Sequence, residues 1–507
     1  MNYPDVDGDF RWDPAHFCQD AQIDRHKQTY GVDFGTNKAL TLIEKADDDH
    51  HPSWGSVHVQ GAVILRRAGP ETESAAVTVE TIVTDDRLRV YSSWDADAGT
   101  LELIVPRSIE WGRDRPRACV NFKITVWVPE GSSLRHLVAD VEHLDIKLLD
   151  NLSLSVGDGT KLSSIVGTIT SASTGSNTRD NNPNNLPPQE ATTTSPPPTY
   201  AFNSRIIDVH TTSGSINGAW PLYDYLGLRS TSGSIRVAIN PQPASAYSSA
   251  KPATLYIKTS SGDVDFREPI HAAEGTFRIG QSLTDTAERQ RAASRAEARL
   301  PPREYRVDVH TTSGDIVGAA AFGAAAGFRS TSGTISLELL PVLDVTLAGV
   351  EGGAREVELS TSSTSGATDV KVLEPLWVDD LVIGAAEGLG QEERVRRGYV
   401  GMEAPDVAVT GGGKGKEKLL RCLSGMHTTT SAKIKLRYPA SWEGDINLST
   451  LTGTLQVGGE GVKLIKAGSD WPGVNKMLLA RKGEEGVGGK VQGRSTSGDV
   501  DTWVGEK

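Results

Sequence analysis

A six-residue unit recurs along this chain and constrains its folding more than any other feature. It reads Thr211-Thr-Ser-Gly-Ser-Ile216, Ser230-Thr-Ser-Gly-Ser-Ile235, Thr259-Ser-Ser-Gly-Asp-Val264, Thr311-Thr-Ser-Gly-Asp-Ile316, Ser330-Thr-Ser-Gly-Thr-Ile335 and Ser495-Thr-Ser-Gly-Asp-Val500. Weaker copies are Ser363-Thr-Ser-Gly366, Thr428-Thr-Thr-Ser-Ala432, Thr450-Leu-Thr-Gly-Thr-Leu455 and Ser164-Ile-Val-Gly-Thr-Ile169. Gly214 and Gly233 are 19 residues apart, as are Gly314 and Gly333, and Asp208–Ile235 matches Asp308–Ile335 at an offset of 100. Internal duplication accounts for that match.

The physics of the unit is short. Ile207-Asp-Val-His-Thr and Val307-Asp-Val-His-Thr alternate apolar and polar residues, the period of a half-buried strand. Threonine is β-branched and suits a pleated surface. Glycine then breaks the strand, and its tolerance of a left-handed backbone is the expected reason. Ile or Val re-enters the core. The predicted corner residues are Gly214, Gly233, Gly262, Gly314, Gly333, Gly366, Gly453 and Gly498. Strands closed by proline accompany them and end at Pro129, Pro241, Pro341 and Pro439. A repeat near 20 residues cannot cover its own apolar face, whereas stacked copies share one core. The expectation is an all-β, β-solenoid or β-helix-like stack with loop insertions and one short helical insertion. A set of β-sandwiches is the rival.

Along the chain, residues 1–53 read as irregular and 54–170 as an N-terminal β-repeat region. Residues 171–203 read as a disordered Pro/Ser/Asn-rich loop. Residues 204–507 read as the main repeat region, with insertions at 265–303 and 385–418; residues 284–300 carry the helical pattern, ended by Pro301.

No catalytic constellation emerges, and no cofactor or metal motif. His210 and His310 share a repeat position and His427 heads a weaker copy; alternation places such a histidine on the solvent face, without a second ligand at metal spacing. Asp263, Asp315 and Asp499 follow the corner glycine and read as turn stabilisers, since the spacing of glycine-rich calcium rolls is absent. Asp47–His51, and His16-x-Cys18 with His26, read as solvated polar residues. Ser232 lacks a nucleophile elbow, and Gly411–Lys414 lacks the spacing of a phosphate loop. Arg289–Arg299 alternates with glutamates as a solvated helix does.

The net charge of −13 repels phosphate backbones and argues against general nucleic-acid binding. Cys18, Cys119 and Cys422 form no readable framework and are expected to be inert thiols. No secretory leader and no apolar run of membrane length is read, so placement defaults to the cytoplasm.

The Thr-Ser-Ser-Gly-Asp-Val unit, with Val128-Pro-Glu-Gly-Ser132 upstream, resembles the putative-adhesin domain of unknown function found in bacterial and fungal proteins. The resemblance covers residues 120–505 and is densest at Asp208–Ile335. It implies a stack of β-strand repeats and brings no catalytic residues. The long insertions and the corners at Ala367 and Ala432 depart from it. The resulting expectation is a non-enzymatic, adhesin-like scaffold that binds a protein or glycan surface. The alternative is a carbohydrate-active enzyme on a β-helix, with Glu351, Glu356 and Asp369 as its candidate carboxylates.

Overall fold

The computed structural model describes residues 24–47, 55–69, 75–85, 87–109, 118–149, 151–172, 201–244, 252–271, 300–344, 356–378, 419–469 and 475–506. These residues are almost entirely β-strand, and the chain divides into two compact units. One comprises residues 1–221 and 226–238; the other comprises 222–225 and 239–507. In each, a strand ahead of a corner lies in one sheet and the strand after it lies in a second sheet. We call these the leading and trailing sheets.

In the first unit the leading sheet includes Thr100–Val105, Ala39–Ala46, Ser132–Val141, Ser153–Ser164 and Ile206–Thr211, all parallel to their neighbours. The trailing sheet runs through Cys119–Val128, His58–Arg67, Asp145–Leu148, Ile169–Ser171 and Ile216–Leu222, again parallel. At its far edge Ala76–Val83 and Asp24–Gly31 turn antiparallel. Tyr91–Asp95 does the same on the leading sheet.

In the second unit the leading sheet carries Ala253–Lys258, Tyr305–Thr311, Ala325–Ser330, Val357–Ser363, Leu423–Thr429, Gly489–Ser495 and Gly444–Thr450 in parallel order. The trailing sheet carries Val264–Arg267, Ile316–Phe322, Ile335–Asp344, Thr368–Val372, Ile434–Tyr438, Val500–Val504 and Leu455–Gly459. The final rung of the chain, Gly489–Val504, therefore sits between two rungs that precede it in sequence. The antiparallel strands Lys476–Lys482 and Lys463–Ser469 close this end. The outermost, Lys463–Ser469, is exposed along its length. Lys463 and Lys466 flank its exposed Leu464-Ile465 pair, and a register shift interrupts the ladder there, both devices that discourage edge-to-edge pairing.

Parallel pairing of successive copies selects the solenoid over sandwiches, whose sheets are antiparallel. Burial follows the predicted period of two: Ile235–Pro241 and Gly444–Thr450 alternate strictly. The core fills with Ile, Val and Leu from both sheets, with Trp220 and Phe122 in the first unit and Trp442, Phe266, Phe322 and Phe328 in the second.

Four expectations change. Residues 1–53 are not wholly irregular, because Asp24–Gly31 and Ala39–Ala46 are strands; the apolar alternation of Leu40 and Leu42 is enough to bury them. Pro341 does not end its strand, which runs from Ile335 to Asp344. What changes there is the partner: Thr368–Val372 pairs up to Leu339 and Leu376–Val378 pairs from Val342, so the missing proline N–H falls in the gap. Cys119 is disulfide-bonded and Cys422 is the free thiol, so the reading of three inert thiols fails at Cys119. The corner glycines are there for a different reason, given below. Two boundaries shift as well: the loop read at 171–203 has strand at both ends, Ile169–Ser171 and Ala201–Ser204, and the insertion read at 265–303 begins inside the strand Val264–Arg267. Residues 173–200 and 272–299 (with the helix read at 284–300 up to 299), the insertion at 385–418, His16, Cys18, Asp48–His51, Glu351, Gly411–Lys414 and Arg289–Arg299 lie outside the described residues. No helix among those described is long and apolar enough to cross a membrane.

Candidate binding face and buried polar groups

Each corner is built by one hydroxyl and one glycine. The glycine N–H donates to the Ser or Thr oxygen three residues earlier at Gly167, Gly214, Gly233, Gly262, Gly314, Gly333, Gly366, Gly453 and Gly498, over 2.8–3.2 Å. The same hydroxyl donates to the corner carbonyl of the neighbouring rung. Thr211 reaches Gly167 O at 3.2 Å, Ser230 reaches Gly214 O at 3.1 Å, and Ser330 reaches Gly314 O at 3.2 Å. A single side chain thus satisfies two buried backbone groups.

None of the predicted corner glycines has a left-handed φ. They are glycine because the rungs touch there. A Cβ at Gly233 would lie 1.8 Å from Gly214 O, and one at Gly333 or Gly366 would lie 1.8 Å from the corner carbonyl below it. The exception is instructive. Ala432 carries a Cβ, and the matching hydroxyl, Thr429 Oγ1, is buried without a hydrogen-bond partner among the described residues.

The aspartates after the corner glycine stabilise the stack. Asp263 Oδ1 accepts the Asp315 N–H at 3.1 Å, and Asp315 Oδ1 accepts the Thr334 N–H at 2.7 Å. Asp499 Oδ1 accepts both the N–H and hydroxyl of Thr454, which holds its carboxyl below the usual range. Among the described residues no group of His, Cys, Asp and Glu is placed to hold a metal ion.

Three buried polar groups were not legible as such. His427 is 0% exposed, which corrects its assignment to the solvent face. Counted back from Ala432, it takes the inward position that Val209 and Val309 hold. Its Nδ1 lies 2.9 Å from Thr361 Oγ1 and its Nε2 lies 2.9 Å from Tyr438 OH. A neutral imidazole offers one donor and one acceptor, which these hydroxyls match. Burial lowers its pKa to about 3. Glu268 is likewise enclosed. Its Oε2 accepts the Ala321 N–H at 2.7 Å, its Oε1 has no partner among the described residues, and burial pushes its carboxyl up to about 8. In the first unit, buried Glu44 accepts the N–H groups of Glu142 and His143 at 2.6 and 2.9 Å and meets His143 Nδ1 at 2.9 Å. There the carboxylate replaces the rung carbonyls that cap later corners, and its hydrogen bond raises the His143 pKa. His143, Arg107 and Glu142 border a cavity of about 400 Å³ walled by Ala46, Val57, Val59, Val105 and Pro106.

The outer face of the leading sheet carries the arrangement closest to a binding site. Asp208, His210, Gly227 and Arg229 in the first unit correspond to Asp308, His310, Gly327 and Arg329 in the second. Of the core residues interleaved with them Val209 and Val309 are the same, whereas Ile207 stands against Val307, Leu226 against Ala326, Leu228 against Phe328, and nearby Trp220 against Ala320. Other outward positions differ too, as Ile206 against Arg306 and Tyr225 against Ala325. The four retained residues do not form one fixed structural pair. Arg229 donates to Asp208 at 2.6 Å, whereas Asp308 is taken by His310 Nε2 at 2.7 Å, and Arg329 makes no ion pair among the described residues.

The enzyme alternative finds less. Asp369 faces outward on the trailing sheet, 3.3 Å from Lys435, and Glu356 precedes a strand of the leading sheet. Alternation in the sequence puts Asp308 and His310 outward; the strand pairing adds that Gly327 and Arg329 lie beside them, one rung on.

Fold and face together define a parallel β-solenoid with a decorated strand face. No family model and no curated protein matches the chain. Among solved structures it is similar to one described as a putative adhesin from Parabacteroides distasonis, with 11% identity and a TM-score of 0.27 over 71% of this chain and 96% of that one. A putative cell adhesion protein from Clostridium sporogenes gives 6% identity and a TM-score of 0.14, covering 95% and 100%. A putative adhesin from Parabacteroides merdae gives 8% and 0.16, covering 70% and 97%.

Proposed function

We propose that this chain is a non-enzymatic, adhesin-like binding scaffold whose ligand contacts lie on the outer face of the leading sheets. The observation that carries the reading is the identity of Asp208, His210 and Arg229 with Asp308, His310 and Arg329, while the core residues Ile207, Leu226 and Leu228 beside them have changed and Val209 is kept. Packing does not require those three types. An exposed Arg–Asp pair contributes only about 0–1 kcal/mol, and the two copies pair differently. A requirement that acts from outside the fold explains the retention better. The disulfide at Cys119 fits an oxidising, extracytoplasmic setting, where such scaffolds meet their ligands.

The test is a binding screen against glycans, cell-wall fractions and candidate proteins. It compares the wild-type chain with a variant carrying Asp208→Asn, Arg229→Gln, Asp308→Asn and Arg329→Gln. Saturable binding that the variant loses, with circular dichroism and melting unchanged, supports the reading. Absence of any binding that depends on these residues refutes it.

A further inference from the structure

We infer that the leading-sheet face of the second unit binds an acidic polysaccharide, laid across the strands along the column Lys258–His310–Arg329. This inference rests on the binding-scaffold reading and names its ligand class.

The ladder register sets the column. Lys258 pairs with His310, His310 with Arg329, Arg329 with Ser362, Ser362 with Thr428, and Thr428 with Arg494. Side chains at paired positions project from the same face, one rung apart, so they succeed one another every 4.8 Å or so. Three consecutive rungs therefore present an ammonium, an imidazole and a guanidinium over about 10 Å. Lys258 and Arg329 are exposed and make no ion pair among the described residues. Asp308 holds His310 through Nε2 at 2.7 Å, and the Tyr256 ring lies 6.2 Å from the imidazole. The column contains no carboxylate. Its counterpart in the first unit differs, because Asp140 pairs with Ser163 there, Ser163 pairs with His210, and Arg229 is bound to Asp208.

The flanks indicate what kind of polyanion fits. On one side runs Tyr256, Asp308, Gly327, Ser360, Met426 and Gln492, paired in that order. Gly327 stands between Asp308 and Ser360, whose side-chain oxygens lie 3.3 and 3.6 Å from the position its Cβ would take. On the other side the corners expose the threonines Thr312, Thr331, Thr364 and Thr430. A cationic line between hydroxyl, amide and aromatic groups matches a polymer bearing acid groups along one edge and hydroxyls elsewhere. An acidic peptide fits less well, since Tyr305–Thr311 and Ala325–Ser330 under the column already have both ladder neighbours and offer no edge for strand addition.

Biolayer interferometry on the full chain tests the inference with five immobilised probes: polygalacturonate, dextran sulfate, unmodified dextran, polyglutamate and single-stranded DNA. Expected is saturable, salt-sensitive binding to polygalacturonate or dextran sulfate and none to unmodified dextran; the two acidic probes separate a carboxylate from a sulfate preference. Lys258→Gln with Arg329→Gln should weaken that binding about tenfold or more, the loss of two charge-assisted contacts. Arg135→Gln with Lys161→Gln, exposed on the leading sheet of the first unit and outside the retained set, should leave it within about twofold. Equal binding to neutral dextran, preference for polyglutamate or DNA, or indifference to the second-unit double variant overturns the ligand class. If the acidic glycans fail while another ligand still binds through the retained residues, the scaffold reading survives and only this inference falls.

Discussion

Replacing Gly333 by alanine should disable one corner of the second unit. The added Cβ would lie 1.8 Å from Gly314 O and 2.3 Å from its carbon. Ordinary contact begins near 3.4 Å, so the corner must retreat by about 1.6 Å, a third of the spacing between rungs. That movement breaks the Gly333 N–H bond to Ser330 Oγ at 2.9 Å and the Ser330 bond to Gly314 O at 3.2 Å. Two buried backbone groups lose their partner at roughly 1–3 kcal/mol each, giving a destabilisation of roughly 2–6 kcal/mol. The molecule contains a partial version of this change, since at Ala432 the matching Thr429 hydroxyl is left unbonded. Stacked repeats unfold by neighbour-coupled steps, so urea melts should be combined with hydrogen exchange at the amides of Gly314, Gly333 and Gly366. Gly468→Ala, where a Cβ meets nothing within 4 Å, is the control and should shift stability by no more than about 0.5 kcal/mol. The close-contact explanation is refuted if Gly333→Ala matches that control and corner amide protection is unchanged.

Two buried groups should give opposite responses to pH. His427 titrates near 6.5 when unfolded and about 3 when folded. Its neutral form is favoured by the fold, so stability is intact above pH 6.5 and falls as the pH drops toward 3, by about 2 kcal/mol between pH 7 and 5. His427→Gln should flatten this slope in urea melts at the two pH values; an unchanged slope would mean that the imidazole is not the titrating group. Glu268 has its pKa raised from 4.5 to about 8, so its contribution is complete below pH 4.5 and is lost as the pH rises through 8. Glu268→Gln should raise stability at pH 8 relative to pH 5 by on the order of 2–4 kcal/mol compared with the wild type, and equal effects at both values would contradict burial of an uncharged acid.

The chain alone determines the unit of construction. Alternating Ile207-Asp-Val-His-Thr strands, a Ser-Gly corner and an apolar re-entry at Ile216 are local choices set by propensity and period, and the 19-residue spacing makes them stack. What the corners do with glycine is a tertiary fact: the need arises from the carbonyl of another rung, which no window of sequence contains. For the same reason the last rung, Gly489–Val504, takes a place that sequence order does not suggest, between Leu423–Tyr438 and Gly444–Gly459. His427 reads as one more outward histidine until the register sets it against Thr361 and Tyr438 inside the core. Alternation marks the retained Asp and His of each copy as outward, but only the pairing of the strands sets the retained Arg of that copy beside them, as His310 with Arg329. Local pattern specifies strands and turns because their causes lie within a few residues. Faces, columns and buried charges depend on which distant segments are neighbours, and that is decided when the rungs close on one another.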